Sequence, residues 1–213
     1  MNARRIRYAL IAILGALTIT FSAPAMAAPA KAGGPDQLRT DMRKLWEDHI
    51  TWTRLYIVSV AAGLPDKDDT AKRLLQNQVD IGNAIKPFYG DDAGNKLTAL
   101  LKEHILGAAD LLAAAKANDQ PKIATEKARW YRNADDIAAF LATANPKNWP
   151  LAAMKAGMKM HLDLTLKETL DRFGSKYADD IQDYDRVHEH ILGLADTLAN
   201  GIAAQFPDRV KRS

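Results

Sequence analysis

Turn-forming residues divide this chain at nearly regular intervals. The breaks fall at Gly63-Leu64-Pro65, Pro87 with Gly90, Asn118 to Pro121, Asn145 to Pro150, and Gly174-Ser175. Between the breaks, apolar residues recur every three or four positions, which is the period of an amphipathic α-helix. The pattern predicts helices near 36–62, 68–86, 92–117, 121–143, 149–173 and 177–204. Because long helices with short connections pack antiparallel, we predict an all-α, up-down bundle of about six helices.

The first 27 residues have the three regions of a secretory signal peptide. Arg4, Arg5 and Arg7 precede an apolar run from about Tyr8 to Phe21, and the segment 25–27 supplies the small-x-small cleavage pattern. The apolar run is short for a permanent membrane helix. We therefore predict removal of residues 1–27 and a periplasmic or secreted protein. The remaining chain is then expected to consist of three parts: a flexible segment over 28–35, a single domain over 36–204 and a tail over 205–213.

The charge balance excludes a nucleic-acid partner. The full chain has 29 Lys and Arg against 26 Asp and Glu. The predicted signal peptide contains three of the arginines and no acidic residue, so the remainder has 26 of each. Nucleic-acid binding needs a surplus of positive charge, and none is left. No second apolar run is long enough to span a bilayer, so we expect no membrane association after processing.

A nearly exact octamer repeat indicates repeated helical hairpins. EHILGAAD at 103–110 and EHILGLAD at 189–196 agree at seven of eight positions. A polar residue also lies near the midpoint of every predicted helix, at spacings of 28, 27, 29, 28 and 29 residues: His49, Asn77, His104, Asn133, His161 and His190. In an up-down bundle of equal helices the midpoints lie at one height. The spacing therefore predicts a polar layer across the bundle.

Helical geometry indicates which of these side chains point inward. At 100° per residue, His49, His104 and His161 lie on the apolar faces of their helices. In the last helix the octamer alignment favours His190, whereas the helical wheel favours His188, so both are candidates. The asparagines fall at the edges of their apolar stripes, and an acidic residue lies further out on each of their helices: Asn77 with Asp80, and Asn133 with Asp136.

Inward histidines from separate helices are typical of metal sites in helical bundles. Since neutral imidazole binds Zn, Cu, Ni and Fe, we predict a transition-metal ion, copper or zinc first, bound by these histidines. Glu168, two turns beyond His161, is a candidate oxygen ligand or hydrogen-bond partner. Three methionines share faces with histidines: Met42, Met154 and Met158. Thioethers near imidazole favour Cu(I), although methionine more often fills space in a core. Metal affinity is then expected to weaken as pH falls through about 6.5.

Two alternatives remain open. In the first, the histidines form a structural polar layer that sets helix register, with hydroxyl, amide and carboxylate partners: Thr53, Thr165, Asn77, Asp80, Asn133 and Asp136. In the second, histidine binds haem non-covalently, since the chain has no cysteine for covalent attachment. No nucleophile elbow, phosphate-binding glycine loop or triad pattern occurs, so binding is expected rather than catalysis.

Three strings give the chain a family resemblance. They are WEDHITWTR at 46–54, LLQNQVDIGNAIKPFYG at 74–90 and NPKNWP at 145–150. Together they resemble an uncharacterised group of small exported bacterial proteins. The resemblance implies export and a helical fold, and it implies no activity, cofactor or catalytic residue.

Overall fold

The computed structural model describes residues 34–211, which form an all-α bundle of six long helices and one short helix. The helices are α1 (Pro35–Ala62), α2 (Lys67–Tyr89), α3 (Asp91–Lys116), α4 (Gln120–Ala144), α5 (Leu151–Phe173), α6 (Tyr177–Gln205) and α7 (Pro207–Val210). The predicted fold class is confirmed, and all six predicted helices are present. The predicted signal peptide, residues 1–27, lies outside the described residues, as does most of the predicted flexible segment.

Local sequence signals account for most helix ends. Gly63 adopts φ 66°, a left-handed conformation that favours glycine, and its N–H donates to Ser59 O to close α1. The Asp119 side chain accepts a hydrogen bond from Lys122 N and so caps α4. One prediction was wrong: α2 continues through Pro87 to Tyr89. Proline in the last turn removes only one helical hydrogen bond, so it need not end the helix where it stands.

The six long helices form a closed antiparallel ring. Each packs against its neighbours in sequence, and α1 also packs against α6. Two ion pairs show that α1 and α6 run in opposite directions. Arg39 near the start of α1 binds Asp196 in the second half of α6. Arg54, further along α1, binds Asp180 near the start of α6. No helix within residues 34–211 is long and apolar enough to cross a membrane.

The chain's end differs from the predicted tail. α7 lies within the predicted tail 205–213, and Val210 is fully buried. Arg209 also donates hydrogen bonds to the main-chain oxygens of Pro87 and Phe88, at 3.2 and 2.8 Å. The domain therefore extends beyond residue 204. A four-residue helix is too short to show apolar periodicity, so only the tertiary contacts reveal it.

Glycine permits a close backbone approach between α2 and α3. A Cβ on Gly82 would lie 2.6 Å from Gly94 O and would also overlap the Thr98 side chain. We expect Gly82→Ala to lower the free energy of unfolding by about 1–3 kcal/mol, because the two helices must move apart. Urea unfolding followed by circular dichroism measures the change.

A second glycine provides the control for this prediction. Gly193 in α6 is exposed, and an added Cβ there meets no atom within 4 Å. Gly193→Ala should therefore be neutral or stabilise the protein by about 0.5–1 kcal/mol through helix propensity. Equal effects of the two substitutions would contradict the close α2–α3 packing.

Candidate functional site

The three helical hairpins repeat one hydrogen bond at mid-height. In α1–α2, Asn77 Nδ2 donates to Leu45 O at 3.0 Å, and in α3–α4, Asn133 Nδ2 donates to Leu100 O at 3.1 Å. In α5–α6, His190 Nε2 bonds Gly157 O at 3.0 Å. Each accepting carbonyl lies four residues before the inward histidine of its helix: His49, His104 and His161. The polar layer predicted from the midpoint spacing is therefore present, with the even-numbered helices tied to the main chain of the odd-numbered ones.

His161 is the common neighbour in a cluster of four imidazoles. Its ring centre lies 5.8 Å from that of His49, 6.2 Å from that of His104 and 6.3 Å from that of His190. His49, His104 and His161 are each at most 4% exposed. α1, α3, α5 and α6 therefore bring four of the chain's five histidines together.

The structure resolves the ambiguity between His188 and His190. His188 is partly exposed and its Nε2 lies 3.1 Å from Glu47 Oε1 on the surface. His190 is the one that contacts the cluster, as the octamer alignment predicted and the helical wheel did not. The helical wheel gave the wrong residue because α6 packs against both α1 and α5. The apolar stripe covers both contacts, so the centre of the stripe does not mark the side that faces the histidine cluster.

The hydrogen bonds determine the tautomer of His104. Asn133 Nδ2 donates to Leu100 O, so Asn133 Oδ1 must be the acceptor that lies 2.9 Å from His104 Nδ1. His104 Nδ1 therefore carries the proton, and in the neutral ring Nε2 keeps a free lone pair. Metal-binding histidines are commonly oriented by such a bond from the other ring nitrogen.

The ring nitrogens of His49 and His161 have fewer hydrogen-bond partners than those of His104. Gln78 Nε2 lies 3.3 Å from His49 Nδ1, but it also donates to Leu74 O at 2.8 Å and Asn77 Oδ1 at 3.1 Å, which uses both of its hydrogens. His161 Nδ1 is buried and has no hydrogen-bond partner among the described residues. Gln78 Oε1, beside His49, is also buried without a partner. A buried polar atom without a partner costs about 1–3 kcal/mol, so His161 Nδ1, which belongs to the ring at the centre of the cluster, is the atom that best suits a ligand.

Burial keeps the cluster neutral. It lowers the pKa of His49 to about 3, with a further contribution from His104, and it lowers the pKa of His104 to about 4. The pKa of His161 lies well below its ordinary value because of burial and the three neighbouring histidines. Neutral imidazole is the form that binds metal ions.

A small cavity of about 30 Å³ adjoins the cluster. His49, His104 and His161 line it, together with the Thr53, Thr165 and Tyr56 side chains and six apolar or aromatic residues. A cavity of about 10–15 Å³ already holds one water molecule. The space therefore suits a single ion or one to two water molecules.

Several predicted supporting residues have other roles. The Thr53 and Thr165 hydroxyls donate to the main-chain oxygens of His49 and His161 and do not bind the imidazoles. Asp80 accepts a hydrogen bond from Gln76, and Asp136 is exposed. In contrast, Asn77 and Asn133 are buried rather than at the edge of the core. Ridge-and-groove packing with the neighbouring helix covers these asparagines, which a single-helix projection cannot show.

Glu168 and the methionines lie near the cluster without joining it. Glu168 Oε1 accepts a hydrogen bond from Arg54 Nη1 at 2.9 Å, so it belongs to an ionic cluster toward the end of the bundle. The three methionines are buried in the main apolar core and do not line the cavity beside the histidines: Met42, Met154 and Met158. Neither group supplies a ligand in the described arrangement.

Sequence reasoning missed two features of the site. Gln78 is fully buried beside His49, but the repeated hairpin has Ala134 at the equivalent position, so the repeat did not single it out. Two tryptophans also flank the cluster: Trp46 lies 5.6 Å from His49 and Trp130 lies 5.3 Å from His104, between ring centres. Trp46 precedes His49 by about one helical turn, and this spacing could have predicted that the two rings are in contact.

Within residues 34–211, no group of three or more His, Cys, Asp or Glu side chains is arranged to hold a metal ion. Comparisons with protein-family models, with curated proteins and with solved structures give no match for this chain. The function must therefore be argued from the histidine cluster itself.

Proposed function

We propose that this chain is an exported, non-enzymatic helical bundle that binds one transition-metal ion, copper or zinc first, at the buried histidine cluster. The observation that carries the proposal is His161 Nδ1, a buried nitrogen without a hydrogen-bond partner in a ring that adjoins a cavity of about 30 Å³. Two further neutral imidazoles line the same cavity. An ion in the cavity would adjoin all three rings.

The hydrogen bonds within the layer favour a second candidate. The Nδ1 atoms of His49 and His104 lie within hydrogen-bond distance of Gln78 and Asn133, and Nε2 of His190 bonds a main-chain oxygen. In this alternative the layer sets the register of the hairpins and binds no metal. Haem receives no such support, since ligand pockets of that order have volumes of about 300–1,000 Å³ and the cavity is far smaller.

Export rests on the first 27 residues, which we propose are a cleaved signal peptide. Expression in a bacterial host and mass spectrometry of the periplasmic fraction test this assignment. A mature chain that begins near Ala28 supports it. A product that retains Met1 contradicts it.

A metal ion should stabilise the protein by mass action. At a free metal concentration of 100 times Kd, we expect about 2.7 kcal/mol of added stability, measured as a rise in Tm with Cu or Zn. His161→Leu should abolish the rise, whereas the control His188→Gln, which alters the histidine outside the cluster, should retain it. Metal content of protein purified without chelator or affinity metal provides an independent measurement.

The outcomes separate the two candidates. One equivalent of metal, and a rise in Tm that depends on His161, support the metal site. If no metal shifts the Tm, and His161→Leu is as stable as the parent or more so, the structural layer is the better description. If the metal-induced rise in Tm is lost in His188→Gln, the metal binds at the surface instead.

The structure changes the pH dependence expected from the sequence. Because burial lowers the pKa of His49 to about 3 and of His104 to about 4, protons should compete with the metal only well below the ordinary histidine pKa of about 6.5. We expect one-site affinity to vary little between pH 7 and about 5.5. An affinity that falls steeply through pH 6.5 would mean that exposed histidine is the ligand.

A further inference from the structure

The cavity beside His161 is lined without any acidic side chain. Its polar groups are three imidazoles and the hydroxyls of Thr53, Thr165 and Tyr56, and the rest of its lining is apolar or aromatic. Glu168, the buried carboxylate two turns further along α5, is already bound to Arg54. No anionic ligand therefore faces the space where an ion would lie.

A neutral lining discriminates between ions by charge. Moving a charge from water into a medium of low dielectric constant is costly, and this Born cost grows with the square of the charge. A dication would consequently incur about four times the desolvation cost of a monocation. Zinc sites usually have four ligands and often include thiolate or carboxylate, neither of which lines this cavity.

The rings are close enough for two of them to share one ion. With a metal–nitrogen distance of about 2.0–2.1 Å and roughly 1.1 Å from nitrogen to ring centre, two imidazoles on one ion have ring centres about 5.1–6.3 Å apart, depending on the angle between them. The ring centre of His161 lies 5.8 Å from that of His49 and 6.2 Å from that of His104. Either pair therefore lies within the range that one ion can bridge.

An aromatic side chain also borders the cavity. Trp130 lines the cavity and its ring centre lies 5.3 Å from that of His104. Indole attracts a cation that lies over its ring, and the interaction strengthens where water is excluded.

We infer that the cavity selects a soft monovalent cation, Cu(I), held between His161 and a neighbouring imidazole, His49 or His104. This inference rests on the proposed metal-binding function and specifies the ion that the site prefers. Two ligands suffice for such an ion.

The test compares ions of different charge on the same protein. Chelator-treated protein is titrated without oxygen with Cu(I), with Ag(I) as a monovalent ion that is not redox active, and with Zn(II). Tryptophan fluorescence is one readout, because Trp46 and Trp130 contact the cluster. We expect one equivalent of Ag(I) or Cu(I) to bind roughly 100-fold or more tightly than Zn(II), given the difference in desolvation cost.

Variants and NMR locate the ion. His161→Leu should lose Ag(I) binding while His188→Gln keeps it, with circular dichroism as a check that each variant is folded. If His161→Leu does not fold, ¹⁵N NMR of the histidine side chains in the parent protein replaces it, and Ag(I) should shift the nitrogens of His161 and one neighbour. Shifts confined to His188 would overturn the inference.

The remaining outcomes separate this inference from the proposed function. Zn(II) bound more tightly than Ag(I), with dependence on His161, would overturn the preference for a monovalent ion and leave the metal-binding function standing. Failure of all three ions to bind would overturn both. Ag(I) binding that persists in folded His161→Leu would assign the ion to another site, such as methionine, and would also overturn the inference.

Discussion

Lowering the pH from 7 to 4.5 is expected to destabilise this protein by several kcal/mol, because its buried histidines remain neutral in the folded state. Unfolded histidine titrates near 6.5, whereas burial lowers the pKa of His49 to about 3 and of His104 to about 4, and lowers that of His161 well below its ordinary value. Their contribution is fully present above about pH 6.5 and is lost as the pH falls toward the folded pKa values. Between pH 7 and 4.5, His49 and His104 should each cost about 2.5 kcal/mol, and His161 should add to this loss.

Glu168 opposes this trend. Burial raises its pKa to about 7, with Arg54 only partly offsetting the effect. A raised carboxyl pKa stabilises the folded state below the unfolded pKa of about 4.5 and loses that contribution as the pH rises through 7. Between pH 7 and 4.5 the gain from Glu168 is about 2.5 kcal/mol. The loss from His49 and His104 together is about 5 kcal/mol, and His161 increases that loss. The net effect is a loss of more than about 2 kcal/mol, a substantial part of the stability of a typical domain.

Urea unfolding at a series of pH values measures this balance. The free energy of unfolding should fall from pH 7 to 4.5, and Glu168→Gln should make the fall steeper because the opposing group is gone. His49→Leu, which removes one of the buried histidines, should make the fall shallower. A stability that is flat with pH in the parent protein would contradict the neutral, buried state of the cluster.

Replacing Arg54 by methionine is expected to lower the free energy of unfolding by about 3–5 kcal/mol, because it leaves buried carboxylates without their partner. Arg54 binds Glu168 on α5 and Asp180 on α6, and both acids are at most 2% exposed. Arg172 Nη1 also contacts Asp180, at 3.2 Å. The guanidinium of Arg54 therefore joins three helices at one end of the bundle.

A surface ion pair provides the control. Lys72 and Asp69 form a pair at 2.8 Å with side chains 75% and 82% exposed, so Lys72→Met should change stability by less than about 1 kcal/mol. The double variant Arg54→Met with Glu168→Leu should recover part of the lost stability, because an apolar pair leaves no unpaired charge at that position. A loss for Arg54→Met no larger than that for Lys72→Met would show that this ionic cluster does not hold the helices together.

The helices and their order could be predicted from the sequence because their causes are local. Apolar periodicity, glycine and proline breaks, and short connections each act within a few residues. The midpoint spacing also predicted a polar layer, since equal helices in an up-down bundle place their midpoints at one height. His49, His104 and His161 were identified for this reason, and the structure brings them together.

The partners of those histidines were decided by tertiary structure. Thr53 and Thr165 were expected to satisfy imidazoles, but a hydroxyl one turn further along a helix reaches the carbonyl of its own helix first. Asn133, a partner that the sequence predicts, does bond His104, whereas Gln78, which the sequence did not single out, lies 3.3 Å from His49 Nδ1. Which residue faces a histidine across a helix interface depends on the rotation and offset of two helices, and neither quantity is written in the pattern of one helix.

Tertiary contacts also explain why His190 rather than His188 joins the cluster, and why Glu168 does not join it. These residues lie close in sequence or on one helical face, yet contacts with α1 and α5 decide which imidazole is enclosed and which carboxylate meets Arg54. An all-α bundle of six long helices with a histidine layer at mid-height follows from the sequence, because period and spacing are properties of the chain. Which imidazole nitrogens find hydrogen-bond partners, and where the small cavity lies, follow from the packing of the helices around one another. Hydrogen bonds across the core depend on distances between elements that are far apart in sequence.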